Sequence, residues 1–121
     1  MYKPNKAPAF QFYAGDFLSD INVSTMSMSQ RGIYITLLAY EWIEGSLPNN
    51  DAMLKKLCSN HPTFEEDWKD MKHCFIVDGK NLSNPRLEKE RKNMTDYRER
   101  MSKNGRKGAK IRWNGDGKAI A

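Results

Sequence analysis

The sequence predicts a mainly α fold with a small β-hairpin: a winged helix-turn-helix followed by a C-terminal basic helix and tail. Three observations predict it. Apolar residues recur at helical spacing in three segments between positions 27 and 73. An Asp78-Gly79 pair follows, set between two short extended runs, which is a tight-turn signal. Beyond position 85 the apolar spacing thins and cations take over. Three helices followed by a two-stranded wing is the winged-helix order.

Pro8 to Tyr13 alternates Phe10 and Phe12 with small or polar neighbours, the pattern of a short edge strand. Gly15-Asp16 is expected to turn the chain. Phe17, Leu18 and Ile21 form a small apolar patch before the polar stretch 22–27. Ser27 and Gln30 have capping-box spacing and open the first helix. Ile33, Tyr34, Leu37, Leu38, Glu41 and Trp42 then keep helical register, with Ile35, Ala39, Tyr40 and Ile43 widening the face. Gly45 ends the helix in a left-handed position.

Leu47-Pro48-Asn49-Asn50 reads as a loop whose Asn50 or Asn49 caps a second helix built on Ala52, Met53, Leu54 and Leu57. Thr63 and Glu66 form a second capping box, and Phe64, Trp68 and Met71 face inward from a third helix over 63–73. Phe75-Ile76-Val77 and Lys80-Asn81-Leu82-Ser83 make the hairpin. Asn84 caps the fourth helix and Pro85 takes its first position. That helix is expected to close near Met101, because Asn104-Gly105 and Gly108 weaken it. Residues 103–113 are expected to be disordered when free. The organisation is thus a winged-helix-like domain over 8–85, a basic helix over 86–102 and a flexible basic tail over 103–121.

Among 121 residues the net charge is +5, and its distribution is informative. Residues 1–85 carry net −2, whereas residues 86–113 carry net +7. Such segregation points to a polyanionic partner for the C-terminal segment. Arg98, Arg100, Lys103, Arg106, Lys107, Lys110 and Arg112 are the candidate phosphate contacts, and Trp113 can stack on an unpaired base. The bland alternative is a solvated tail that aids solubility. The third helix, the expected recognition helix, carries Glu65, Glu66, Asp67 and Asp70 and would repel DNA in the usual docking mode. Lys55, Lys56, Lys69, Lys72 and Lys80 remain as further backbone contacts.

Other chemistry finds little footing. Cys58-x-x-His61 has zinc-ligand spacing, but adjacent His73 and Cys74 diverge and close a tetrahedral site poorly. Asp16 with Asp20, or the acidic third helix, could hold Mg²⁺, yet turn and surface roles explain them more simply. No nucleophile elbow, P-loop or zincin motif occurs, so no enzymatic activity and no cofactor are expected. The aromatic residues read as core. Two cysteines and a polar start without a leader-like apolar run point to the cytoplasm, and no run is long enough to span a membrane.

Four stretches carry a family resemblance: P-A-F-Q-F-Y-A-G-D-F-L, S-Q-R-G-I-Y-I-T-L-L-A-Y-E-W-I-E-G-S-L-P, F-I-V-D-G-K and N-G-R-K-G-A-K-I-R-W. Together they resemble the YdaU-like domains of phages and prophages over residues 8–113. That group is similar to the N-terminal winged-helix domains of phage replication-initiation and replisome-organiser proteins. The resemblance implies a DNA-replication setting in the host cytoplasm and supplies no catalytic residues. The expected partners are DNA or RNA, with host or phage replication proteins beside it. Leu87, Met94, Tyr97 and Met101 form a seam suited to a homodimer through the C-terminal helix. The alternative function is a protein-interaction adaptor using the acidic third helix and that seam.

Overall fold

A computed structural model describes the backbone of residues 7–120 and the side chains of residues 7–105. The elements run α1 (Ala14–Ser19), α2 (Ile21–Ser24), α3 (Met28–Glu44), β1 (Leu47–Pro48), α4 (Asp51–Leu57), α5 (Phe64–Met71), a 3₁₀ turn (Lys72–Cys74), β2 (Ile76–Asp78), β3 (Asn81–Ser83) and α6 (Pro85–Ile120). The fold is mainly helical with a small three-stranded antiparallel sheet, ordered β1-β3-β2. The chain divides into two units between Arg91 and Lys92.

The longest helix of the first unit, α3, starts as its sequence dictates. Ser27 Oγ accepts from the Gln30 amide at 3.1 Å, and Gln30 Oε1 accepts from the Ser27 amide at 2.9 Å. Ile33, Tyr34, Leu37, Leu38, Glu41 and Trp42 are its buried face. Ile35 and Ile43 are 38% and 40% exposed and Ala39 is exposed, so of the expected wider face only Tyr40 is half-buried. The helix closes at Gly45, whose φ of 94° is costly for any residue with a Cβ.

Leu47-Pro48 is a strand rather than a loop. Leu47 is paired with Leu82 and both are buried, and proline is tolerated because β1 is an edge. Asn50 caps α4 through its side chain, which accepts from Met53 N at 3.1 Å. Leu54 is the fully buried residue of α4, whereas Met53 is about half exposed. In α5, Phe64, Trp68 and Met71 are buried at i, i+4, i+7. The rings of Phe64 and Trp68 stack, and Trp68 meets Phe75 below the hairpin.

The expected capping box at Thr63 is absent. Its φ and ψ of −102° and 18° lie outside the extended cap geometry. The hydroxyl instead donates to Asp67 Oδ2 at 2.7 Å. The hairpin forms, shifted by one residue. Asp78 pairs with Asn81, so Gly79-Lys80 is the two-residue loop, with φ of 60° at Gly79.

The N-terminal expectations are corrected more fully. Pro8 to Tyr13 forms no strand, because its aromatic groups pack on helices instead of aligning beside a sheet edge. Phe10 lies against Trp42, Phe12 against Phe17, and Trp42 Nε1 donates to Ala7 O at 2.9 Å. Gly15-Asp16 is helical within α1. The polar stretch after Ile21 holds α2, capped by Asp20 accepting from Asn22 N at 2.8 Å.

Gly32 sits inside α3, where glycine costs helix stability, and a Cβ there would meet nothing within 4 Å. Gly32→Ala is therefore expected to stabilise the first unit by about 1 kcal/mol, read as a higher urea midpoint at unchanged slope.

Candidate nucleic-acid interface

The candidate interface is α6, and its first two turns show how the helix is held. Asn84 is 3% exposed. Its Oδ1 accepts from Leu87 N at 3.0 Å, capping the helix as expected. Its Nδ2 donates to the Tyr34 hydroxyl and to Cys74 O, both at 3.1 Å. Its own amide donates to both carboxylate oxygens of Glu41, at 2.9 and 3.0 Å. One residue thus joins α3, the end of the 3₁₀ turn and the start of α6.

Arg91 completes the clamp. Its guanidinium donates to Glu41 O at 2.7 Å and Trp42 O at 2.9 Å, satisfying carbonyls at the end of α3. It lies 4.7 Å from the Trp42 ring centroid and pairs with Glu88 at 2.9 Å. Arg86 bridges Asp20 at 2.7 Å and Asp16 at 3.6 Å, which gives those two aspartates a structural role beside the start of α6. Two cations of the basic segment are therefore committed to the fold.

Glu41 is fully buried in this network, and burial together with the hydrogen bond to Glu88 pushes its carboxyl up to about 9. The folded chain holds this proton to a higher pH than the unfolded chain, whose value is near 4.5. The associated stability is complete below that unfolded value and is lost as pH rises through the folded one. Between the two, stability falls with rising pH. Glu41→Gln keeps a neutral group with an acceptor and a donor. Its urea midpoint is expected to gain on the parent between pH 5 and pH 9, values that bracket this window. Parallel pH profiles would show that Glu41 is ionised in the fold.

Exposed cations lie on both sides of Arg91, with Lys89 before it and Lys92 directly after it. Arg98, Arg100 and Lys103 are exposed, and none enters an ion pair among the described residues. The side chains of Arg106, Lys107, Lys110, Arg112 and Trp113 lie outside the described residues. The backbone is helical through Ile120, so the expected stop near Met101 is not where the helix ends. In a helix, positions 103, 106, 107 and 110 fall at i, i+3, i+4, i+7, one face. Met94 and Met101 fall on the other side of the helix from Lys103. Tyr97 and Met101 are about half exposed, whereas Leu87, the first residue of the expected seam, is buried in the first unit.

The acidic third helix is less available than its composition suggests. Glu65 pairs with Lys55 at 2.8 Å, and that bond lowers its carboxyl from the ordinary value. Asp67 Oδ2 accepts from the Ser29 hydroxyl at 2.5 Å and from Thr63, tying α3 to α5. His61 Nε2 lies 2.6 Å from Ser29 Oγ and 3.0 Å from Thr63 Oγ1.

These residues have the composition of a Ser-His-Asp triad without its relay. The aspartate and the serine meet the same imidazole nitrogen, whereas a relay needs them on opposite nitrogens. His73 bonds Asn22 instead, at 3.2 Å. No cluster of three or more potential metal ligands occurs among the described residues. Sequence reasoning missed the Glu41–Asn84–Arg91 clamp. The one available signal was Glu41 standing in register with the buried face of α3.

No family model, curated protein or solved structure matches the chain. The functional reading therefore rests on the chain's own residues and on the resemblance its motifs carry. Among the described residues no helix is long and apolar enough to cross a membrane.

Proposed function

We propose that the chain is a non-enzymatic DNA-binding protein of phage type, acting in replication initiation or its regulation, with the C-terminal segment contacting phosphates. The observation that carries this reading is the division of cations. Arg86 and Arg91 are consumed by the first unit, while Arg98, Arg100 and Lys103 stand exposed without ion pairs among the described residues. Exposed cations in series attract a phosphate backbone and release its counterions. They specify little sequence, so affinity without strong site preference is expected.

A winged-helix reading of the first unit fits the order of elements from α3 to β3. The strand after the first helix pairs with the second strand of the hairpin, leaving the hairpin as a wing with Lys80 in its loop. The resemblance to YdaU-like phage domains supplies the replication setting and the cytoplasmic location. The half-exposed Tyr97 and Met101 favour a second reading, an adaptor that self-associates through α6. Titration of labelled duplex and single-stranded DNA at about 50 mM salt separates the two. Binding of either strand form supports the DNA reading. Absence of both leaves the adaptor.

A further inference from the structure

Within the first unit, a groove of about 270 Å³ lies between the N-terminal half of α3 and the end of α4. Gly32, Ile33, Leu57 and Cys58 are among the residues that line it, together with the polar residues Ser29, Thr36 and His61. No Lys, Arg, Asp or Glu lines it. Burial raises the Cys58 thiol to about 11, so that side chain is uncharged at neutral pH. The groove is thus suited neither to a phosphate nor to a metal cation.

Two locally costly choices border the same space. Gly32 occupies a helix interior with nothing within 4 Å of where its Cβ would stand, so packing does not require glycine there. Ser59 and Asn60 hold φ of 58° and 53°, a left-handed pair that delivers His61. Proton accounting fixes what His61 offers. The Ser29 and Thr63 hydroxyls both donate to Asp67, so their contacts with Nε2 require the hydrogen on Nε2. In the neutral ring Nδ1 is then an acceptor, and it has no partner among the described residues.

We propose that this groove binds a neutral heteroaromatic molecule of one or two rings, held by an N–H donated to His61 Nδ1 and by apolar contact with Ile33 and Leu57. The volume sits just below the range of pockets that take drug-sized ligands, which sets the size of the occupant. The ring can come from an indole or from a nucleobase, and both present a ring N–H on a flat uncharged body.

The test is a titration of the full chain with indole, adenine and benzofuran, followed by amide chemical shifts. Benzofuran has the shape of indole without the N–H. Saturable shifts at Gly32, Ile33 and Cys58 are expected with indole or adenine, with a Kd on the order of 1 mM. Which of the two binds more tightly identifies the source. Benzofuran is expected to bind at least several-fold more weakly than indole.

Gly32→Leu should abolish the shifts while leaving the rest of the spectrum in place, since the new side chain enters open space. Thr36→Leu provides a second block from the same helix. No saturable shift with indole or adenine overturns the proposal. So does equal binding of benzofuran and indole, or shifts that persist in both folded variants.

Discussion

Asn84→Ala is expected to lower the stability of the first unit by about 3 kcal/mol, summing the removal of a helix cap and of two partly or fully buried hydrogen bonds. Asn84 serves three partners at once through its side chain: Leu87 N, the Tyr34 hydroxyl and Cys74 O. Alanine leaves each without that bond in a place water reaches poorly. For a domain of this size the change corresponds to roughly 15 °C in Tm.

The variants at this site separate its functions. Asn84→Ser restores an N-cap and is expected to recover about 1 kcal/mol. Asn84→Asp keeps the cap yet removes the Nδ2 donors and places a carboxyl close to Glu41, so it should recover no more than serine. Thermal and urea unfolding of the three variants check the order. Equal stability of Asn84→Ala and the parent would mean that the clamp is not formed.

The second large effect concerns binding. Removal of residues 102–121 deletes Lys103, Arg106, Lys107, Lys110 and Arg112, together with Trp113. If these hold phosphates, affinity for DNA at about 50 mM salt is expected to fall by at least about 100-fold. The first unit should be untouched, because its core and the clamp end at Arg91. An unchanged Tm for that unit alongside abolished binding is the expected pair of results. Retained affinity in the shortened chain would place the interface on Arg98 and Arg100, or on Lys55, Lys56, Lys69, Lys72 and Lys80 of the first unit.

Much of the fold was legible because local signals were strong and consistent with one another. Ser27 and Gln30, Gly45, Asn50, Asn84-Pro85 and the i, i+4, i+7 triplet of α5 each act within a turn or two of chain. What escaped depended on distant partners. Leu47-Pro48 is a strand because Leu82 lies opposite it, a fact no local pattern contains. Phe10 and Phe12 alternate like strand residues, but Trp42 and Phe17 take them up before a sheet edge can. Thr63 and Glu66 have the spacing of a capping box, yet Asp67 captures the hydroxyl.

The candidate site was legible as charge and not as architecture. Net charge marked the segment beyond position 85. Arg86 and Arg91 counted there as available cations, and the fold assigns both to anchoring. The acidic third helix was likewise read as one anionic surface, whereas Glu65 and Asp67 are held by neighbours within the first unit. Among the described residues of α6, Lys89, Lys92, Arg98, Arg100 and Lys103 are the exposed cations left without ion pairs.

Whether the cations of the C-terminal segment hold phosphates is decided by the slope of log K against log salt for DNA binding. The slope should be compared between the full chain and the double variant Arg106→Gln/Lys107→Gln. A steep linear fall is expected for the full chain, and a slope shallower by about two in the variant, one unit for each phosphate left unneutralised. A slope unchanged by the double substitution, or a full chain that fails to bind DNA at about 50 mM salt, would contradict phosphate binding by the C-terminal segment.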